Sequence, residues 1–403
     1  MSRKKMLDTN GAVAEALRLA RLQVFASNPP CPGEPVAACL ASYAAEGDLA
    51  VKFMPADSEQ TALICAVGAQ LSGIRACATT SSLGLRQMHE ACAVAASLRA
   101  PVVMPVLNQP AQDSMVVWGH FQDAMSERDG GWLQFYAADC QEMIDLLLMA
   151  FRIAEDRRVC MPAMVCLDGF FLDRATEAVE LPSQESIDRF LPPCGPKDGA
   201  GYLSDRPKGD KPVFPLDEYS EIRYWQSRAF AAAGQIIPLV MNEYAGICGR
   251  AYRPVEGYRI EDAEAVLVVM GSVGGAVKYV VDRYRQGGFP VGMVKVVSFR
   301  PFPALEVAEL LAKPEKIGVL DRSTGLGGVS GPFCADVRAA VGNYGSGVKI
   351  SSFLAGIGGR EVSIASITKV FDFLMNDGLA LTPKWVDIEA DSVLSMYDEA
   401  SRP

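Results

Sequence analysis

LAVKFMPADSEQTALICAVGAQLSG, residues 49–73, sets the pattern of the chain. LAVKFMPAD is short and apolar-rich, as a strand is. SEQTALICAVGAQLSG carries its apolar residues at a helical period and closes on Gly73. The unit then recurs. RACATTSS feeds LGLRQMHEACAVAASLRA, and PVVMPVLN is a continuous apolar strand. After an irregular span from Gln109 to Trp132, DCQEMIDLLLMAFRIAEDRR reads as a long amphipathic helix and VCMPAMVCLDG as another buried strand. Strands alternating with helices imply an α/β fold, with a largely parallel sheet covered on both faces.

The alternation breaks at LPPCGPKDGAGYLSDRPKGDKPVFP, residues 191–215, whose proline, glycine and charge mark a crossover or linker. It restarts near Ala263. AVLVVMGS, VGMVKVVSF, KIGVLD and VKISSFLAGIG are strands, separated by helices such as GGAVKYVVDRYRQGG and ALEVAELLAK. The expected organisation is a domain over 1–185, a linker and crossover region over 186–262, a second α/β domain over 263–385 and a tail over 386–403. The stretch MNEYAGICGRAYRP shows no clear period and is unassigned.

Composition narrows the function classes. The chain has 403 residues, 50% of them hydrophobic, and a net charge of −10 with no long basic run. A nucleic-acid footprint and a polybasic membrane patch are therefore not expected. MSRKKMLDTNG has no apolar stretch behind its basic residues, so it does not read as a signal peptide. No segment approaches the roughly 18 uncharged apolar residues of a membrane span. The 11 cysteines include no CxxC pair, which argues against iron–sulfur or zinc ligation in this chain. Their odd count without a secretory signal implies reduced, mostly buried thiols in a cytoplasmic protein. With only His89 and His120, a histidine metal site or a Ser-His-Asp triad is improbable.

Several short motifs carry chemistry. FASNPPCPGEP, residues 25–35, is a stiff non-helical turn around Cys31, which holds either a ligand or a difficult corner. DSEQTA places Glu59 at the start of a buried helix, where the dipole favours a carboxylate in any case. TTSSLGL sets Ser81, Ser82 and Gly84 at a strand-to-helix turn, which suits a polar ligand or simple helix capping. GLGGVSG, residues 325–331, lacks the Lys-Ser/Thr of a Walker loop and reads as a turn needing positive φ. RDGGW and CLDGF contain Asp-Gly, but neither has the surroundings of a Mg²⁺–pyrophosphate site.

The order of these motifs is more telling than any one of them. MPADSEQTA, ATTSSLGLRQMHE, RAPVVMPVLNQ, WGHFQDAMSERDGGWLQFYA, AFRIAEDRRV and MPAMVCLDGF, followed by SFRPFPALEV and GVLDRS, together resemble the α chain of the 2-oxoacid:ferredoxin oxidoreductases, the pyruvate synthase family. The resemblance implies two doubly wound domains, a thiamine pyrimidine-binding-type domain and a transketolase C-terminal-like domain. It implies thiamine pyrophosphate shared with a β chain that holds Mg²⁺ and the diphosphate. A γ chain and a chain with Fe–S clusters complete the complex, and coenzyme A accepts the acyl group. Electrons then reach ferredoxin, or NAD through a flavin subunit.

By the resemblance, Glu59 contacts the aminopyrimidine ring and is catalytic. Ser81, Ser82 and Gly84 lie at the cofactor, and Cys31, Gln109, Phe121 and Arg86 at the substrate. Two positions depart from the family pattern. Cys31 stands where a threonine faces the substrate, and Gln109 stands where an arginine grips its carboxylate. A charged bidentate donor has become a neutral amide. This points away from pyruvate and toward an apolar or aryl 2-oxoacid such as phenylglyoxylate, with Arg86, His120 or Arg128 as candidates to hold the carboxylate. Pyruvate or another 2-oxoacid stays open, as does a non-catalytic scaffold subunit, although a dead site has no reason to keep Glu59.

Overall fold

The computed structural model describes residues 3–28, 33–108, 120–168, 175–194, 219–344 and 348–388. Cys31 and Gln109 lie outside the described residues, as does most of the proline- and glycine-rich stretch. The first half contains strands β1 (Arg3–Leu7), β2 (Val24–Ser27), β3 (Lys52–Pro55), β4 (Ala76–Ala78), β5 (Thr80–Ser81), β6 (Val103–Asn108), β7 (Leu133–Tyr136), β8 (Ala163–Asp168) and β9 (Glu177–Leu181). Between them run helices α1 (Thr9–Leu19), α2 (Gly33–Ala45), α3 (Glu59–Leu71), α4 (Ser82–Gln87), α5 (His89–Ser97), α6 (Gln122–Ser126) and α7 (Cys140–Ala154), and α8 (Gln184–Phe190) follows β9.

The opening stretch forms the expected strand and helix. The Ser58 hydroxyl caps α3 by accepting from the Thr61 N–H, and the helix buries Glu59, Ala62, Leu63, Ala66, Val67 and Gln70, a stripe at helical spacing. It ends where Gly73 turns left-handed at φ +83°. Parallel pairs join β3 to β2, β2 to β4, β5 to β6, β6 to β8 and β8 to β7. β4 and β5 are two halves of one strand line, interrupted at Thr79. The first half pairs with β2 and the second with β6. All these strands therefore end on one side.

The second half contains α9 (Tyr219–Cys248), β10 (Val255–Tyr258), β11 (Ala265–Met270), α10 (Val273–Gln286), β12 (Val291–Val296), β13 (Ser298–Arg300), α11 (Ala304–Leu310), β14 (Lys316–Asp321), α12 (Pro332–Tyr344), β15 (Ile350–Leu354), α13 (Ile364–Met375) and β16 (Lys384–Trp385). Its sheet runs β10-β12-β11-β14-β15-β16, parallel except for the edge strand β10. β13 leaves this sheet and pairs antiparallel with β7 of the first. One apolar cluster runs through both layers, from Val24 and Phe121 to Val266, Phe299 and Phe333. No disulfide forms among the described cysteines. Among the described residues, no helix is long and apolar enough to cross a membrane.

The unassigned stretch MNEYAGICGRAYRP is largely the end of α9. That helix buries Gln226, Ala229, Ala233, Ile236, Ile237, Val240, Met241 and Tyr244, with Pro238 inside it. Alanines and a glutamine carry part of the stripe, so the apolar period is weak in sequence although helical in space. Asp145 of α7 ties this region down. It is 0% exposed. Its carboxylate accepts from the Tyr244 hydroxyl at 2.6 Å, the Tyr252 hydroxyl at 2.6 Å, and Arg250 Nε and Nη2 at 2.7 and 2.9 Å. Asp145→Ala leaves two buried tyrosine hydroxyls and the Arg250 guanidinium without this acceptor and is expected to cost about 3–5 kcal/mol. Urea unfolding followed by tryptophan fluorescence checks this, and an unchanged midpoint would show that α9 is held by its apolar stripe alone.

Candidate functional site

The carboxyl ends of the first-half strands, the crevice edge of a parallel sheet, place Glu59 at the centre of the candidate site. Although it opens α3 and follows an exposed turn, its side chain is only 2% exposed. It turns inward onto α4. A Cβ at position 84 would lie 2.9 Å from Cδ and Oε1 of Glu59 and 2.3 Å from Thr80 Oγ1, so glycine alone permits this approach. The Thr80 hydroxyl donates to Glu59 Oε2 at 3.5 Å. Glu59, Thr80 and Gly84 thus form one contact between two helices and a strand end.

Around that contact lie hydroxyls that the fold does not use. Among the described residues, Thr79 Oγ1, Ser81 Oγ and Ser82 Oγ are buried without a hydrogen-bond partner, as are Asn108 Oδ1 and Asp168 Oδ1. All belong to the ends of β4/β5, β6 and β8 or to the turn that follows. Ser81 is the N-cap residue of α4, yet its side chain makes no cap bond, so capping does not explain TTSSLGL. A buried hydroxyl without a partner costs about 1–3 kcal/mol. Their concentration at one end of the sheet indicates polar groups waiting for a ligand. A buried carboxyl beside hydroxyls that both donate and accept fits the polar edge of an aminopyrimidine. Among the described residues, no group of three or more His, Cys, Asp or Glu could hold a metal ion.

The far side of the crevice is a seam between the two sheets. Asp168 ends β8 and pairs with Arg322 Nη1 at 2.5 Å, and it accepts from the Ser272 hydroxyl as well. Arg322 lies over the Phe121 ring at 5.2 Å. Phe121 is 1% exposed, packs edge-on against Tyr136 with centroids 4.8 Å apart, and comes so close to Gly271 that a Cβ there would sit 2.6 Å from its Cζ. Its ring is thus enclosed by protein on these sides. Arg86 is mostly exposed and donates through Nε to the buried Asp123, which also faces His120. Arg128 bonds the Met125 carbonyl and lies 3.5 Å from Asp129, a local arrangement.

Sequence reasoning weighed Asp168 only as the Asp-Gly of CLDGF and set it aside, and it missed Arg322 and Ser272. Their common signal is position, since Asp168 ends a strand and Ser272 and Arg322 stand just past one. GLGGVSG is the turn expected, with Gly327 at φ +79°. The start of α12 behind it is occupied by Asp321, which accepts from the Cys334 N–H at 3.1 Å and leaves no room for a Cβ on Gly331. Burial pushes the Asp321 carboxyl up to about 6.

Two α/β sheets meet at this group of buried polar atoms, and the comparisons give the class, a subunit of a thiamine-dependent enzyme. Residues 15–242 match the family described as pyruvate flavodoxin/ferredoxin oxidoreductase, thiamine diP-binding, and residues 263–367 match pyruvate:ferredoxin oxidoreductase core domain II. The chain is 36% identical to pyruvate synthase subunit PorA of Methanothermobacter thermautotrophicus, over 96% of this chain and 99% of that one. It is 35% identical to ketoisovalerate oxidoreductase subunit VorA of Pyrococcus abyssi, over 91% of this chain and 92% of that one. The chain belongs to the α-chain family of thiamine pyrophosphate-dependent 2-oxoacid:ferredoxin oxidoreductases. In fold it is similar to a 2-oxoglutarate:ferredoxin oxidoreductase from Magnetococcus marinus, at a TM-score of 0.74 and 16% identity, covering 92% of this chain and 65% of that one. A split-gene transketolase matches at a TM-score of 0.55 and 11% identity, covering 92% and 95%.

Gly84→Ala is expected to force α4 away from Glu59 at a cost of about 1–3 kcal/mol. Differential scanning fluorimetry of the variant should show a lower midpoint, partly recovered when Glu59→Asp shortens the opposing side chain. An equal midpoint in Gly84→Ala and the parent would mean that α3 and α4 are loosely apposed.

Proposed function

We propose that this chain supplies the aminopyrimidine side of a shared thiamine pyrophosphate site. The complex it enters oxidatively decarboxylates a 2-oxoacid with an apolar side chain to an acyl-coenzyme A thioester. A β chain holds Mg²⁺ and the diphosphate, and the electrons pass to Fe–S clusters in further chains. The observation that carries the reading is the buried Glu59 carboxyl, fixed against Gly84 beside hydroxyls without partners among the described residues. When bound, the cofactor supplies an acidic carbon that adds to the 2-oxo group and lets the carboxylate leave as CO₂.

The chain's own residues have definite tasks. Glu59 holds a proton between its carboxyl and a ring nitrogen, which biases the ring toward its imino form. Its burial excludes water that would compete for that proton. Thr80 and Gly84 fix where the carboxyl points, and the Ser81, Ser82 and Thr79 hydroxyls meet the polar edge of the ring. A scaffold role would leave this arrangement without a use. Glu59→Gln removes the exchangeable acid while keeping the shape. It should slow hydrogen–deuterium exchange at the cofactor C2 position by about 10²-fold or more in the assembled complex, with assembly intact. Near-normal exchange and turnover would sink the assignment.

The apolar side chain is supported by the sequence at Cys31 and Gln109, neither of which offers a positive charge. The relatives include a pyruvate synthase subunit and a ketoisovalerate oxidoreductase subunit at nearly the same identity, so side-chain size is open to experiment. Losing one charge-assisted contact costs about 1.5–3 kcal/mol. A buried phenyl or branched side chain can offset that at roughly 25 cal/mol per Å², whereas pyruvate offers one methyl group. The complex is expected to prefer phenylglyoxylate or 2-ketoisovalerate over pyruvate in kcat/KM, and Gln109→Arg should move the preference toward small acids. Equal use of pyruvate by the parent enzyme overturns the side-chain assignment and leaves the reaction class intact.

A further inference from the structure

We propose that His120 receives the substrate carboxylate, its imidazole taking one proton from solvent as the 2-oxoacid anion arrives. The inference rests on the crevice being a 2-oxoacid site. His120 immediately precedes Phe121 at the seam, and its side chain is 17% exposed. Nδ1 is buried and has no hydrogen-bond partner among the described residues. Nε2 stands 3.8 Å from Asp123 Oδ2, too far for a hydrogen bond. The ring is therefore placed without being committed to the fold.

The charges that face it come from three elements. Asp123 lies on α6, Arg86 on α4, and Arg322 just beyond β14. Arg86 is paired with Asp123, and Arg322 with Asp168 at the end of β8. Two cations and two carboxylates cancel, so the cluster has no net charge while the imidazole is neutral. Burial, together with Arg86 and Arg322, pushes the His120 pKa below its usual value, against the opposing pull of Asp123. An arriving monoanion would leave the cluster with an unbalanced buried charge, which is costly. One proton on imidazole restores the balance and makes both ring nitrogens donors, Nδ1 among them, to the carboxylate. Arg322 Nε, also buried without a partner among the described residues, is a second donor in the same cluster. No electron or heavy atom moves in this step.

The test uses the intact complex, with pyruvate, 2-ketoisovalerate and phenylglyoxylate as probes, from about pH 5.5 to 8.5. In the parent enzyme, kcat/KM should fall by up to about tenfold per pH unit above the pKa of free His120. His120→Gln should remove that limb and raise KM about tenfold at the acidic end, with a smaller change in kcat. The gap to the parent should then close as pH rises. His120→Asn is the second variant, so that a side-chain length effect is recognised. Exchange at the cofactor C2 position, measured without 2-oxoacid, should be retained in both variants. If exchange is retained and both variants keep the parent's pH limb and KM, His120 does not receive the carboxylate. If the parent complex itself shows no such exchange, the reading of the crevice fails, and this proposal with it.

Discussion

In a parallel sheet every strand delivers its carboxyl end to the same edge, so the loops that follow must share one crevice. The molecule is organised by that constraint. Glu59 follows β3, Ser82 and Gly84 follow β5, and Asn108 and Asp168 close β6 and β8. The interruption at Thr79 lets one strand line serve two neighbours and brings Gly84 under the Glu59 carboxyl. The second sheet obeys the same rule and points Ser272 and Arg322 at Asp168.

The buried polar groups at the strand ends differ from the one that ties α7 to α9. The Asp145 carboxylate is saturated by two phenol hydroxyls and a guanidinium, so it holds α7 against α9 and the segment that follows it and offers nothing to a ligand. The crevice groups are the opposite case. Ser81, Ser82, Asn108, Asp168 and His120 each keep an atom that the described structure does not satisfy. A folded chain tolerates such atoms where another molecule completes them.

What was legible in the sequence was local. Strand and helix periods gave both α/β halves, and the order of motifs led to Glu59 and to the turn that carries Gly84. The family matches over residues 15–242 and 263–367 agree with the α/β class and the family resemblance. The seam was not legible, because Asp168 and Ser272 are 104 positions apart and no periodicity links them. The pairing of β1 with β9 was hidden for the same reason. The helix α9 was missed because Pro238, two glycines and a run of alanines blur its apolar face. The surroundings of Phe121 were hidden as well, since its ring packs on Tyr136, Arg322 and Gly271 from distant parts of the chain.

Strand β13 gives the architecture a limited modularity. It is encoded between two strands of the later sheet, yet it completes the edge of the earlier one through Ser298–Phe135 and Arg300–Gln134 pairing. A gene cut between the halves would strip a strand from β7 and leave its backbone groups open to any passing edge. It would also divide the apolar cluster that contains Tyr136 and Phe299. Fusion partners and affinity tags therefore belong at the chain ends, and recombination among related sequences should exchange the two halves together.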